Sequence, residues 1–143
     1  MQRVVLIVED AETCASTLEI AFSSIADLQI VTASNAEQAW RLLETAPEDI
    51  RAIVTDVHMP GMDGFELIER VRKHRVHAAL PIIVITGSTD PHVPEGARRR
   101  GANAVFAKPY SPAVVRKKLE QLLNDDSPSH STRQRGGASS STV

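Results

Sequence analysis

The sequence has little of several residue types, and each shortage excludes a class of protein. Cys14 is the single cysteine in 143 residues, which excludes an intrachain disulfide and a cluster of thiolate metal ligands. Aromatic residues make up 3% of the chain, too few for a base-stacking surface. No apolar run approaches the length of a membrane span, and the first ten residues lack the longer apolar segment and the small-residue cleavage site that are typical of a signal peptide. With a formal net charge of -2, the composition favours a cytoplasmic protein with neither DNA nor membrane as a partner.

Short runs rich in valine and isoleucine alternate with segments of helical spacing over residues 1–125, which we interpret as one domain. A β-α unit repeated five times predicts an α/β fold, a doubly wound five-stranded parallel sheet with helices on both faces. The polar composition of residues 126–143 predicts a disordered tail or linker. The predicted strands are Arg3–Val8, Leu28–Ala33, Ile50–Thr55, Pro81–Thr86 and Asn103–Ala107.

Local signals mark where some of the helices begin. Ser34 and Glu37 fit a capping box for the second helix. Ser111 followed by Pro112 predicts the cap and the first residue of the fifth helix. The fourth helix is predicted to begin near Pro94, to span only about two turns and to be broken by helix-disfavouring residues. Those residues are Pro91, Pro94 and Gly96.

Chemically active side chains follow four strands of the predicted sheet. In the strand order 2-1-3-4-5, ligands bind outside the carboxyl ends of the strands, where the order reverses between strands one and three. Three acids there repel one another, and either a raised pKa or a bound cation relieves the repulsion. Oxygen ligands without a thiolate favour Mg²⁺ (or Mn²⁺). The side chains in question are Glu9 and Asp10 after strand one, Asp56 after strand three, Thr86 at the end of strand four, and Lys108 after strand five.

A magnesium site beside a lysine and a threonine is typical of phosphoryl chemistry. A cation and an ammonium neutralise the phosphoryl oxygens, and a hydroxyl donates a hydrogen bond to them. Asp56 then has the chemistry of a carboxylate nucleophile that forms an aspartyl phosphate. The competing interpretation is that Asp56 only begins the turn that follows it.

Four motifs, in this order and spacing, resemble those of the receiver domains of two-component response regulators: LIVED, TDVHMPGMDGFE, ITG and GANAVFAKP. The resemblance covers about residues 3–124 and implies a flavodoxin-like fold. It implies an aspartate phosphorylated by a histidine kinase or a histidine phosphotransfer protein. It also implies a signalling phosphoacceptor, not an enzyme, that assists its own phosphorylation and dephosphorylation. Phosphorylation would switch binding to a downstream protein, and the receiver would be a monomer or a phosphorylation-dependent dimer.

The family's metal and acceptor residues can be matched one by one. Asp56 matches the phosphoacceptor, Asp10 the acid that binds Mg²⁺ directly, and Glu9 the acid that usually acts through water. The backbone carbonyl of His58 matches the third protein oxygen on the metal. The side chains of His58 and Ser88 match positions that flank the path of the hydrolytic water and influence how long the phosphoryl group lasts.

The remaining matches concern the phosphate and the switch. Lys108 matches the lysine that pairs with the phosphate, and Pro109 a proline often preceded by a cis bond. Thr86 matches the hydroxyl that turns toward the phosphoryl group. Val105 stands where the family usually has an aromatic, and strand alternation points Phe106 to the opposite face. With the weak fourth helix, this predicts an atypical output face.

Three alternatives remain at this stage. Met1 directly before the first strand is typical of a natural start, but the chain also fits a receiver fragment of a hybrid histidine kinase or of a longer regulator. A haloacid-dehalogenase-type phosphatase also uses an aspartyl phosphate, but it needs a second aspartate where His58 stands. A pseudo-receiver that only binds protein is disfavoured by the intact acids, threonine and lysine.

Overall fold

The computed structural model describes residues 3–45, 49–59 and 61–125, so the predicted tail lies outside the described residues. The strands pair in parallel in the order β2-β1-β3-β4-β5. The predicted fold and strand order are confirmed, and each strand end lies within one residue of its prediction. The elements are β1 Arg3–Val8, α1 Glu12–Phe22, β2 Leu28–Ala33, α2 Ala36–Thr45, β3 Ile50–Asp56, α3 Gly64–Lys73, β4 Ile82–Thr86, α4 His92–Arg100, β5 Ala104–Ala107 and α5 Pro112–Asp125.

The sheet lies between two apolar layers, because successive side chains of a strand point to opposite faces. In β1, Leu6 and Val8 join the layer that contains α2, α3 and α4. Val5 and Ile7 join the layer that contains α1 and α5. Helices therefore cover both faces, as predicted. Within the three described stretches, no helix combines the length and the apolar character that a membrane span requires.

The start of α2 differs from its prediction. Asn35, and not Ser34, caps the helix, because its Oδ1 accepts the N–H of Gln38 at 2.8 Å. The Oε1 of Gln38 in turn accepts the N–H of Ser34 at 2.8 Å. The predicted capping box of Ser34 and Glu37 is therefore wrong, and Glu37 is free to contact another segment. The predicted start of α5 is confirmed, since Ser111 Oγ accepts the N–H of Val114 at 3.3 Å.

Helix α4 is continuous from His92 to Arg100, so the prediction of a broken helix is wrong. Its 9 residues agree with the predicted length of about two turns, and it begins two residues before Pro94. Pro94 lies in the first turn, where a backbone N–H has no partner within the helix and a proline is tolerated. Gly96 is buried, and a Cβ there would lie 3.1 Å from the Arg100 guanidinium and 3.4 Å from the Phe65 ring. The small residue thus lets α4 approach α3 closely.

Arg72 connects three segments at the end of the sheet where the strands begin. Its guanidinium donates five hydrogen bonds of 2.7–3.1 Å. The acceptors precede β4 and β5: the carbonyls of Ala78, Leu80 and Gly101 and the Oδ1 of Asn103. Burial lowers the pKa of Arg72. The Arg72 side chain thereby links α3 to the segments that precede β4 and β5.

Candidate functional site

Three carboxylates meet where the central strands end. β1 and β3 are neighbours, so Glu9 and Asp10 follow β1 beside Asp56, the last residue of β3. One carboxylate oxygen from each of the three lies within 4.8 Å of the other two. Glu9 and Asp56 are buried, with 6% and 7% of their surface exposed, whereas Asp10 is exposed. Glu9 is therefore not a merely solvated acid, and the meeting of the three acids expected from the strand order is observed.

Lys108 reaches this acidic cluster (Glu9, Asp10 and Asp56) from the end of β5. Its Nζ donates to Glu9 Oε1 at 3.0 Å and to Asp56 Oδ2 at 3.1 Å. The peptide bond between Lys108 and Pro109 is cis, as predicted. Burial lowers the pKa of Lys108, but the hydrogen bonds to Glu9 and Asp56 outweigh it and hold the pKa above its usual range. The ammonium is therefore charged at neutral pH.

Glu9 shows that one ammonium does not balance the cluster. Burial raises the pKa of Glu9, and the charge of Asp56 adds to the rise. The hydrogen bonds from Lys108 and from the N–H of Ala11, the latter at 3.2 Å, oppose the rise without cancelling it. The ion pair thus stabilises the charged form of Lys108, whereas burial still destabilises the charged form of Glu9. Three carboxylates against one ammonium leave negative charge in excess, and an all-oxygen donor set suits a hard divalent cation such as Mg²⁺.

Both oxygens of Asp56 are oriented by neighbours. Oδ1 accepts the N–H of Val57 at 2.7 Å and the more distant N–H of His58 at 3.4 Å. Oδ2 faces Lys108. A Cβ on Gly64 would collide with the backbone carbonyl oxygen of Asp56, so the first residue of α3 sits directly against the end of β3. The carboxylate therefore projects from a backbone that is tightly packed.

Thr86 and Ser88 lie at the end of β4 and just beyond it. Thr86 is 1% exposed, and its Oγ1 accepts the N–H of Ser88 at 3.1 Å. Its carbonyl accepts the backbone N–H of Lys108 at 2.7 Å, which joins the ends of β4 and β5. Ile85, one residue before Thr86, is the register partner of Asp56. Thr86 is thus on the neighbouring strand end, with its hydroxyl oriented toward the β4–α4 loop.

Val105, at the predicted switch position, and its neighbour Phe106 lie on opposite faces of the sheet. Val105 packs in the layer of α2, α3 and α4, and Phe106 packs in the opposite layer. The prediction that they face opposite sides of the sheet is confirmed. The side chain of His58 is exposed, and the assignment of its carbonyl to a metal stays a prediction.

Sequence reasoning missed a contact beside the site. Glu37 of α2 accepts the N–H of Met62, in the loop between β3 and α3, at 3.1 Å. The local pattern around Glu37 suggested a cap for its own helix. Its real partner lies 25 residues away in the chain, and no local signal identifies such a pair.

Comparisons with known proteins agree with this fold. The sequence model described as the response regulator receiver domain matches residues 5–120. A chemotaxis protein CheY homolog of Campylobacter jejuni is 31% identical over 122 residues, covering 85% of this chain and 93% of the relative. The chain belongs to the response regulator receiver family. Two-component signalling, a flavodoxin-like fold, magnesium and phosphoaspartate are standard for that family.

Two solved structures show the same architecture. The chemotaxis response regulator CheY4 of Vibrio cholerae has a TM-score of 0.75 and 26% identity, covering 85% of this chain and 99% of that one. The signal receiver domain of a signal transduction histidine kinase from Syntrophus aciditrophicus has a TM-score of 0.80 and 27% identity. That match covers 92% of this chain and 97% of the other. Both a chemotaxis response regulator and the receiver domain of a histidine kinase are therefore similar to this chain.

Proposed function

We propose that this receiver accepts a phosphoryl group on Asp56 from the phosphohistidine of a histidine kinase or a histidine phosphotransfer protein, with Mg²⁺ (or Mn²⁺) required. The observation that carries the proposal is the acidic cluster itself. Two buried carboxylates and one exposed carboxylate lie within 4.8 Å, and Lys108 bonds to the two buried ones. A purely structural ion pair would not need the excess acids.

The roles of the residues follow from this arrangement. The metal would be held by Asp10, Asp56 and the carbonyl of His58, with Glu9 acting through water. Its chemistry is to neutralise charge on the phosphoryl oxygens. A carboxylate oxygen of Asp56 forms the new bond to phosphorus while the phosphorus–nitrogen bond of the donor breaks and the imidazole leaves.

The remaining polar groups act on the phosphoryl group once it is attached. The Lys108 ammonium exchanges its contact with Asp56 for a phosphoryl oxygen, and the Thr86 hydroxyl donates to another phosphoryl oxygen. His58 and Ser88 flank the approach of the hydrolytic water and set the lifetime of the phosphoaspartate. The protein thus assists both reactions on its own side chain and acts as a cytoplasmic signalling phosphoacceptor rather than as an enzyme.

Phosphorylation would change which downstream protein binds to the face formed by α4, β5 and α5. We expect this output face to be atypical, because Val105 replaces the usual aromatic and is partly buried in the helical layer. The weak fourth helix was the second ground for this expectation, but α4 is continuous, so the expectation now depends on Val105 alone. Amide chemical shifts recorded with and without beryllofluoride test it, and a family-sized rearrangement of α4 and β5 would contradict it.

A kinase-borne receiver is the second candidate, supported by the similarity to the Syntrophus aciditrophicus domain. The same phosphoryl chemistry applies in that case, and residues 126–143 would then connect to a further segment. Binding to a free phosphotransfer protein does not separate the two candidates, whereas the gene's full reading frame does.

The central experiment is phosphorylation by acetyl phosphate or by a phosphohistidine donor, with and without Mg²⁺, resolved on a phosphate-affinity gel. We expect a shifted band that requires Mg²⁺ and is absent in Asp56→Asn. The matched control is Asp63→Asn, because Asp63 Oδ1 only caps α3 at the N–H of Glu66 and an asparagine oxygen preserves that bond. A band that persists in Asp56→Asn would overturn the proposal.

A further inference from the structure

The loop between β3 and α3, described at residues 57–59 and 61–63, contacts a residue of another helix. Glu37 lies in the first turn of α2, and its Oε2 accepts the backbone N–H of Met62 at 3.1 Å. Its own helix does not use this carboxylate, because Asn35 and Gln38 cap α2. The contact joins two elements that are 25 residues apart in the chain.

Packing at Gly61 shows how closely the carboxylate approaches the loop. Gly61 has a φ of +79°, a conformation that favours glycine. A Cβ at this position would lie 2.7 Å from Glu37 Oε2 and 3.2 Å from Oε1. The carboxylate thus lies directly over the backbone of Gly61 while it bonds to the next residue. The two contacts together form a clamp on two successive residues.

The clamp adds to two other contacts within the described part of the loop. At its start, the loop is fixed by the N–H groups of Val57 and His58 on Asp56. At its end, the N–H of Gly64 donates to the carbonyl of Val57 at 2.8 Å. Gly61 and Met62 lie between these points, and the carbonyl of His58, the predicted metal oxygen, leads into the same stretch.

We propose that Glu37 is a positioning residue for the metal site, which holds the β3–α3 loop so that the His58 carbonyl keeps its place. The inference rests on the proposed function. Glu37 acts as a hydrogen-bond acceptor and a packing partner, so its charge is not required. Glutamine preserves both properties and alanine removes both.

The experiment measures Mg²⁺ affinity by calorimetry and the hydrogen exchange of the Met62 amide by NMR. For Glu37→Ala we expect roughly tenfold weaker Mg²⁺ binding, the lower end of the effect of outer-shell residues on metal affinity. We also expect faster exchange at Met62, because its amide loses its acceptor. Glu37→Gln should resemble the wild type in both measurements. Glu44→Ala, at an exposed glutamate in the last turn of α2, is the matched control.

A second variant reaches the same clamp from the loop side. Gly61→Ala places a methyl group where the carboxylate lies, so we expect it to reproduce the weaker Mg²⁺ binding of Glu37→Ala. Unchanged Mg²⁺ affinity in Glu37→Ala, or an equal loss in Glu37→Gln, would overturn the inference. A wild-type protein that binds no Mg²⁺ would overturn the proposed function and the metal role together. Exchange at Met62 would still report on the clamp itself in that case.

Discussion

Each end of the sheet has a cationic side chain that bonds to several chain segments, Arg72 at one end and Lys108 at the other. The acceptors of Arg72 are neutral, whereas those of Lys108 are charged. At the end where the strands begin, Arg72 bonds to three backbone carbonyls and one amide oxygen, all of them neutral. At the end where the strands finish, Lys108 bonds to two carboxylates of a cluster that contains a third. The arginine satisfies its partners, whereas the lysine leaves negative charge in excess.

The difference separates a structural cation from a functional one. The surroundings of Arg72 contain no charge that a ligand would complete, so its contribution is to stability. At Lys108 three carboxylates face one ammonium, and the buried Glu9 has a raised pKa as a result of burial and of the nearby charge of Asp56. Active sites commonly carry such local instability because binding requires it. The two ends should therefore respond differently to mutation and to Mg²⁺.

The largest expected effect on stability is that of Arg72→Ala. The change removes five hydrogen bonds and leaves four oxygens without this partner, so we expect the free energy of unfolding to fall by about 3 kcal/mol. The urea midpoint measures it. Mg²⁺ should not restore the loss, since no metal ligand is involved. A fall of less than about 1 kcal/mol would mean that water replaces the guanidinium and that this end is not held by Arg72.

Lys108→Ala should show the opposite response to the metal. Without Mg²⁺, Glu9 and Asp56 lose their counter-ion, and we expect a loss of about 1 to 2 kcal/mol. This is less than for a fully buried pair, because 24% of the Lys108 side chain is exposed and solvent screens the charges. Saturating Mg²⁺ should restore most of the stability. Lys117→Ala, at an exposed lysine of α5, is the control. If Mg²⁺ had the same effect on the stability of the Lys108 and Arg72 variants, the two ends of the sheet would not differ in their response to the cation.

The acidic end was predictable from the sequence because it depends on strand ends alone. Once the alternation of strands and helices gives a parallel sheet, residues that follow neighbouring strands meet at one edge, whatever the loops do. Glu9, Asp10, Asp56 and Lys108 are placed by this rule. The period-two alternation likewise separated Val105 from Phe106.

The arginine end was not predictable, because backbone carbonyls carry no sequence signal. Arg72 reads as an ordinary charged residue near a helix end, and its acceptors lie in turns later in the chain. The role of Glu37 was predicted wrongly for a related reason. Its local sequence pattern indicated a helix cap, whereas its partner lies in a distant loop. The start of α4 was predicted two residues too late, because a proline is tolerated in the first turn of a helix, where its missing N–H costs nothing. Long-range side-chain to backbone contacts are what the sequence does not reveal.

The smallest expected effect, and the one that isolates the excess charge, is that of Glu9→Gln. Burial raises the pKa of Glu9 in the folded protein above its ordinary value of 4.5. A carboxyl group with a raised folded pKa lowers stability at neutral pH, and this loss disappears as the pH falls through the folded pKa toward 4.5. In metal-free buffer the glutamine variant should therefore be more stable than the wild type at neutral pH. The difference should shrink as the pH is lowered.

Urea midpoints of both proteins across this pH range measure the difference. Glu12→Gln, at an exposed glutamate in the first turn of α1, controls for the loss of a surface carboxylate. Saturating Mg²⁺ should remove the advantage of the variant at neutral pH, because the cation then balances the charge of Glu9. A difference that grows as the pH falls would show that Glu9 is stabilised by Lys108 more than it is penalised by burial. The acidic end would then be balanced in the same way as the arginine end.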